Sequence, residues 1–372
     1  MNIHIALLPG DGIGPEVVAQ AVKCLQAVEE TFHHQFTYST GLIGAASIYK
    51  TGEALSQETI ALCHKSDAVL FGSIGALEFD NNPDAKVRPE NGLFELRKEL
   101  GVFANIRPVA VFPTLLKKSP LKEAVLKGTD FVIYRELTGG IYCGDHQLSD
   151  DGTTATDIAT YTESDISRVA HLAFKASRKR KKKLTLIDKS NVLETSRLWR
   201  RVVKKISESY PDVALECIFL HNAIMQMILN PSKFDVILAP NLFGDIISDQ
   251  ASVIGGSVGL LPSASIGDGI AMFEPIHGSY PQAAGKDIAN PIATILSTAM
   301  LLQHFGLEEE SRAVVSAVNK SLHKNIVTPD INPKSKHGTS AVGDFIASNI
   351  VDTDESLSMN YENIGLGKST II

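Results

Sequence analysis

N-I-H-I-A-L-L-P-G-D-G-I-G-P-E, residues 2–16, opens the chain with an apolar run, a glycine-rich turn and the start of an apolar-periodic segment. Asn2–Leu8 reads as a buried strand, P-G-D-G-I-G-P at 9–15 as a turn, and a helix begins near Glu16. Strand, glycine loop and helix also open a dinucleotide-binding Rossmann unit, so the fold turns on the glycine spacing. Gly10, Gly12 and Gly14 do not fit G-x-G-x-x-G, which predicts a tight structural turn and gives no reason to assign a Rossmann fold. The alternation continues along the chain. Ala68–Gly72, Asp130–Tyr134, Leu184–Ile187 and Asp235–Ala239 read as strands and Ser164–Arg178 as a helix, so the class is α/β with helix-covered sheets.

A length of 372 residues suits about two domains at ~100–200 residues each. Hydrophobic residues at 44% and charged residues at 21% describe a globular chain, not a disordered one. The net charge of −7 argues against nucleic acid as a partner and fits a small-molecule enzyme. Cys24, Cys63, Cys143 and Cys217 are scattered without a framework, which predicts reduced thiols. The N-terminus lacks the pattern of a signal peptide. The longest apolar stretch, around Ile292–Leu302, is broken by Thr and Ser and falls short of the ~20 residues that span a bilayer. These features predict a cytoplasmic protein with no membrane partner. The run R-K-R-K-K-K at 178–183 reads as a solvated helix end, where basic residues favour the negative pole. Ile141–Asp157 reads as a protruding loop or hairpin, and Thr353–Ile372 as a surface extension, disordered or docked.

The densest chemical signal is F-D-V-I-L-A-P-N-L-F-G-D-I-I-S-D at 234–249. If a helix starts at Asn241, Asp245 and Asp249 stand one turn apart on one face. Two such carboxylates suit Mg²⁺ or Mn²⁺, which take oxygen ligands and leave positions for substrate. Three arginines, Arg97, Arg107 and Arg135, lie at element ends, where guanidinium groups bind carboxylates in bidentate fashion. Lys189 follows the strand L-T-L-I-D; it reads as an acid or base beside a metal, or as a salt bridge with Asp188 or a solvated amine. The segment F-E-P-I-H-G-S-Y-P-Q-A-A-G-K-D-I-A-N-P at 273–291 is the better nucleotide candidate, a glycine-containing polar loop leading into an apolar helix.

Seven ordered strings, L-L-P-G-D-G-I-G-P-E-V, L-R-K-E-L-G-V-F-A-N-I-R-P-V, Y-R-E-L-T-G-G-I-Y, D-K-S-N-V-L-E-T, N-L-F-G-D-I-I-S-D, L-L-P-S-A-S and E-P-I-H-G-S, make the chain resemble the isocitrate/isopropylmalate dehydrogenase family over nearly its whole length. The resemblance implies a two-domain α/β fold, not Rossmann. One nucleotide-binding domain would be built from residues 1–102 plus 256–372, and residues 103–255 would form a central domain with the dimer interface and arm. It further implies a homodimer whose active sites borrow Lys189 and residue 221 from the partner subunit. By the same resemblance Arg97, Arg107 and Arg135 bind substrate carboxylates, and Asp245 and Asp249 bind Mg²⁺ or Mn²⁺. Tyr142 and Lys189 act as the acid–base pair, and Glu274, His277, Gly278, Ser279, Gln282 and Asn290 contact NAD. Glu90 and Leu93 match the loop that meets substrate and nicotinamide. The apolar Leu93 favours 3-isopropylmalate, oxidised and decarboxylated to 2-oxoisocaproate in leucine biosynthesis. A sister activity on another 2-hydroxy acid stays open.

Two positions depart from the pattern. His221 stands where the family carries a metal-binding aspartate, which exchanges a charged oxygen ligand for a nitrogen that Mg²⁺ accepts poorly. A weakened enzyme, an altered metal preference, and a binding protein that keeps the fold without turnover all remain open. Gln282 replaces the aspartate that NAD-using members present to the adenosine ribose. The lysine and tyrosine of NADP-using relatives are also absent, which leaves NAD as the expected cofactor.

Overall fold

The computed structural model describes residues 1–82 and 85–351. The tail expectation for Thr353–Ile372 lies outside the described residues. In chain order the strands are β1 (Asn2–Gly10), β2 (Gln35–Thr40), β3 (Ala68–Ser73), β4 (Val102–Ala110), β5 (Asp130–Glu136), β6 (His146–Leu148), β7 (Ala155–Asp157), β8 (Lys183–Asp188), β9 (Ala214–Phe219), β10 (Val236–Ala239), β11 (Pro262–Gly267) and β12 (Ala271–Pro275). Ten of them form one sheet in the order β2-β1-β3-β12-β11-β4-β5-β10-β8-β9. Pairing is parallel from β2 to β12 and again from β5 to β9, whereas the links β12-β11, β11-β4 and β4-β5 are antiparallel. This is the α/β fold expected, and its order is not that of a Rossmann sheet.

The central strands are continuous apolar runs because helices cover both faces of the sheet. β3 and β10 are buried along their whole length. The apolar stretch around Ile292–Leu302 becomes the helix Ile292–His304, which packs on β11 and β12 and against the helices Gly14–Phe32 and Glu308–Lys324. Among the described residues no helix is long and apolar enough to cross a membrane.

The opening glycine loop is a structural knot. Gly10 and Gly12 have φ of 68° and 58°, and a Cβ on either would strike the backbone carbonyl of Ser73 or Ser279, so only glycine fits. The buried Asp11 carboxylate accepts the amides of Ala45, Ala46 and Gly75 at 2.9–3.0 Å. The loop therefore ties β1, β3 and the segment at Ser279 together.

Residues 146–157 form the expected hairpin, with β6 and β7 exposed and antiparallel. All four cysteines are free thiols. The basic run is corrected at two positions, Arg180 and Lys183; Lys183 is half-buried as the first residue of β8, with its Nζ donating to the Lys233 carbonyl at 3.3 Å. Arg178, Lys179, Lys181 and Lys182 are exposed, but the Arg180 side chain is buried, 2.7 Å from Asp130 and 2.8 Å from Asp235. It clamps the turn before β8 onto β5 and β10.

Candidate active site

The middle of the sheet carries a polar face. Cross-strand register sets Ser265 beside Asn105, Asn105 beside Arg135, and Ser263 beside Glu274. The two-residue repeat of β4 puts Arg107 on the same face as Asn105. Asn105, Arg107, Arg135, Ser263, Ser265 and Glu274 are all buried.

Pro240 ends the segment after β10, and the helix Asn241–Gly255 starts immediately. It can lie close to β5 because residue 244 is glycine; a Cβ there would run into the Arg135 side chain. Asp245, one turn from the helix start, is the point of convergence. Its Oδ1 accepts from Arg135 Nη1 and, at 3.4 Å, from Arg107 Nη1; its Oδ2 accepts from the Tyr142 hydroxyl at 3.2 Å. The Arg135 guanidinium also sits 5.8 Å from the centroid of the Tyr142 ring. Asp249 lies one turn further along.

Electrostatics follow from this crowding. Burial foremost, then the neighbouring Arg107, pushes Arg135 down to about 9, and burial likewise lowers Arg107. Among the described residues Asp245 is the one carboxylate to which Arg107 and Arg135 hydrogen-bond, so both guanidinium groups keep N–H donors that an anion can take. Burial, then Asp245, raises Tyr142 and keeps its phenol protonated. The same two causes raise Asp249, and a cation between the carboxylates would relieve that repulsion. Asp245 and Asp249 thus supply an oxygen donor pair that fits Mg²⁺ or Mn²⁺. Among the described residues no three His, Cys, Asp or Glu side chains converge in this chain.

Arg97 stands on the far side of the polar face, where its Nη2 donates to Glu274 at 3.0 Å. Leu93, Ile74, Arg97, Arg107 and Glu274 line a small cleft of about 150 Å³. Glu90, on the same helix as Leu93 and Arg97, brings its carboxylate beside Gly75.

Lys189 and His221 form a separate pair, with Lys189 Nζ donating to His221 Nδ1 at 2.9 Å. The salt bridge between Lys189 and Asp188 is not made. Asp188 is bound instead by Arg200 Nε at 2.7 Å and Nη2 at 2.9 Å. No hydrogen bond among those described joins Lys189 or His221 to Asp245, Asp249 or Tyr142.

A larger cleft of about 530 Å³ is lined by Ile13, Asp249, Val258, Ile276, His277, Gly278, Ile288, Asn290 and Asp330, among others. His277 Nδ1 faces the Gly278 carbonyl at 3.0 Å, and burial lowers its pKa, keeping the ring neutral. A carbonyl only accepts, so Nδ1 carries the proton. Nε2 is then a buried acceptor without a partner, able to accept from an amino or hydroxyl group of a ligand. Ser279 serves the fold here, its carbonyl accepting the Ile13 amide at 2.8 Å. Gln282 is exposed in the turn Pro281–Ala283 and does not line the cleft.

Sequence reading missed Asn105, Asn241, Ile13 and Asp330. Asn105 carried a usable signal, since a residue two before Arg107 on a strand shares its face. Ile13 and Asp330 reach the cleft only through the tertiary fold, and nothing in their local sequence marks them.

An α/β sheet with an arginine-lined polar centre and a carboxylate pair beside a nucleotide-sized cleft defines a dehydrogenase class, and the chain belongs to the isocitrate/isopropylmalate dehydrogenase family, whose model matches residues 4–346. Its relatives include the 3-isopropylmalate dehydrogenase of Aquifex aeolicus, 48% identical over 352 residues, covering 93% of this chain and 96% of that protein. The 3-isopropylmalate dehydrogenase of Bacteroides fragilis (strain YCH46) is 47% identical, covering 94% and 99%. Among solved structures, isocitrate dehydrogenase from Methylococcus capsulatus matches with a TM-score of 0.85 at 32% identity, covering 94% of this chain and 99% of that one. The apo beta-decarboxylating dehydrogenase from Thermococcus kodakarensis matches at 0.76 and 35%, covering 96% and 98%.

Proposed function

We propose that this protein is a cytoplasmic, NAD- and divalent-metal-dependent 3-isopropylmalate dehydrogenase that oxidises and decarboxylates its substrate to 2-oxoisocaproate in leucine biosynthesis. The observation that carries the reading is the convergence of two buried guanidinium groups and the Tyr142 hydroxyl on Asp245, one helical turn from Asp249. Arg97, Arg107 and Arg135 hold the substrate carboxylates, and Leu93 with Ile74 gives the small cleft an apolar wall for a branched alkyl group. Asp245 and Asp249 hold the cation. His277, Gly278 and Asn290 line the cofactor cleft, Glu274 lines the small cleft that shares His277 and Gly278 with it, and Ser279 and Gln282 stand in the loop that follows. When bound, NAD accepts the hydride and the cation supplies positive charge where substrate oxygen becomes anionic. Lys189 of the second copy, acting as the neutral amine, removes the hydroxyl proton. Tyr142, held protonated by burial and Asp245, returns a proton to the carbon that loses CO₂.

The active unit is a homodimer. On the helix Leu220–Leu229, His221, Met225 and Ile228 recur at helical spacing on one exposed stripe; on the Asn241–Gly255 helix Ile246, Asp249 and Val253 do the same. Met225 is 51% exposed, Ile228 45%, Ile246 42% and Val253 49%, a large apolar area for a free surface. A two-fold packing of these helices brings His221 and Lys189 of one copy towards Asp249 of the other. The two-domain division, 1–102 with 256–372 and 103–255, is supported by the sheet order, in which β1, β2, β3, β11 and β12 lie on one side of β4.

NADH formation from 3-isopropylmalate with Mg²⁺ or Mn²⁺, beside isocitrate and malate, tests the reading. Turnover strongest on 3-isopropylmalate supports it; faster turnover of isocitrate, or none with any of the three, overturns it. Sedimentation equilibrium tests the dimer, and a monomer with full activity would refute the shared site.

A further inference from the structure

Two buried asparagines outside the assigned machinery share one arrangement. Asn105 is fully buried and Asn241 nearly so. Asn105 Oδ1 accepts from Arg107 Nε at 2.6 Å, and Asn241 Oδ1 accepts from Arg135 Nε at 3.0 Å. Both amides are fixed from their other end. Asn105 Nδ2 donates to Ser265 Oγ at 2.9 Å and Ser263 Oγ at 3.3 Å, and Asn241 Nδ2 donates to the Gly139 carbonyl at 3.1 Å. Neither amide can turn over without facing donor to donor.

The two arginines then meet at Asp245 through their Nη1 atoms. Each guanidinium is therefore held at Nε and at Nη1. Among the described residues no hydrogen bond is made by either Nη2, and Arg107 lines the small cleft. The geometry points to Asn105 and Asn241 as a matched pair of positioning residues that aim the Nη2 edges of Arg107 and Arg135 together at one carboxylate of the substrate. Resting on the proposed function, this assignment adds how the carboxylate receptor is built.

The chemistry of the holder matters as much as its geometry. A carboxylate would also accept from Nε, but it would offset the positive charge the receptor needs. A neutral amide orients the guanidinium and leaves its charge to the ligand. The pair also spans the sheet, because Asn105 ties β4 to β11 while Asn241 ties the metal-binding helix to the loop after β5. Arg97 joins the same network through Glu274, whose carboxylate accepts from Ser265 Oγ at 3.2 Å.

Asn105→Ala and Asn241→Ala test this by a split between the two substrates of the dehydrogenase. KM for the 2-hydroxy diacid is expected to rise by ~10- to ~100-fold in each, the scale of a lost hydrogen bond to a charged group, while KM for NAD stays within about twofold of wild type. A general structural role would move both constants together, and that result, or no change in either, would overturn the assignment. Crystal structures of the variants supply a readout independent of turnover. Displacement of the Arg107 or Arg135 guanidinium is expected, and an unmoved guanidinium refutes the role. If the alanine variants do not fold, Asn105→Ser and Asn241→Ser are read the same way, with the shorter hydroxyl expected to restore part of the substrate affinity. Should wild type prefer another diacid, the substrate identity falls, and KM for that diacid still tests the asparagines.

Discussion

His221→Asp tests the position at which the sequence resemblance implies a metal-binding aspartate. In the free chain the imidazole is exposed and its Nδ1 accepts from Lys189 Nζ at 2.9 Å. An ammonium only donates, so that nitrogen carries the lone pair, and in the neutral ring Nε2 carries the proton. Lys189 and a cation therefore compete for one lone pair, whereas a carboxylate has enough to serve both. Residue 221 is also the second residue of the helix Leu220–Leu229, where a negative charge is worth about 0.3–1 kcal/mol. An exposed pair with Lys189 adds about 0.2–1 kcal/mol. Metal-free His221→Asp is thus expected to be more stable than wild type by about 0.5–2 kcal/mol, read by thermal unfolding of the chelated protein. With saturating Mg²⁺ the gap widens, each tenfold gain in affinity adding about 1.4 kcal/mol. Mn²⁺ tolerates nitrogen better, so its stabilising shift changes less between the two proteins. Equal Mg²⁺-induced shifts in both proteins would refute the placement of residue 221 at the cation, and a less stable metal-free variant would refute the helix and Lys189 reasoning.

Burial and Asp245 raise Asp249, so the folded chain holds that proton longer than the unfolded chain does. The resulting destabilisation is absent below the unfolded value of about 3.9 and grows as pH rises through the folded one; metal-free Asp249→Asn should therefore melt above wild type at pH 7 and lose its Mg²⁺-induced shift, and a lower melting point would contradict this. Tyr142→Phe removes the protonated phenol, and kcat for decarboxylation is expected to fall by ~10²–10⁴-fold with KM for NAD unchanged; a near-wild-type kcat excludes Tyr142 as the acid. Gln282→Asp should lower KM for NAD by about tenfold if a charged hydrogen bond to the ribose is gained, and no change would show that the exposed turn does not reach the cofactor. Arg180→Ala leaves the buried Asp235 carboxylate without its guanidinium and should destabilise by about 3–5 kcal/mol in urea unfolding; a loss below 1 kcal/mol would refute the clamp.

Much of this was legible in the sequence because it rests on local rules. The apolar runs at Ala68–Gly72 and Asp235–Ala239 became β3 and β10 with little change, since strands buried on both faces need no polar alternation. The helix from Asn241 onward, and with it the one-turn spacing of Asp245 and Asp249, followed from helical periodicity. What failed to show was pairwise and long-range. Nothing near Lys189 says that Asp188 is taken by Arg200, twelve residues on, which leaves Lys189 to His221. Arg180 looked like one more solvated cation because its two aspartates come from other strands. The partnership of Asn105 with Ser263 and Ser265 depends on the register of β11 against β4, set by segments more than 150 residues apart.

The position of β11 and β12 in the sheet also governs how the chain emerges from the ribosome. They come from residues 262–275 yet sit between β3 and β4. A nascent chain ending at Gly255 has made eight of the sheet's strands but presents two bare central edges, β3 and β4, each with unpaired amides and carbonyls. Those edges invite pairing with other chains. Closure waits for about twenty more residues, and at ~5–20 residues per second that exposure lasts on the order of seconds. Truncations or stalls just before Pro262 leave those two edges bare and are expected to promote aggregation.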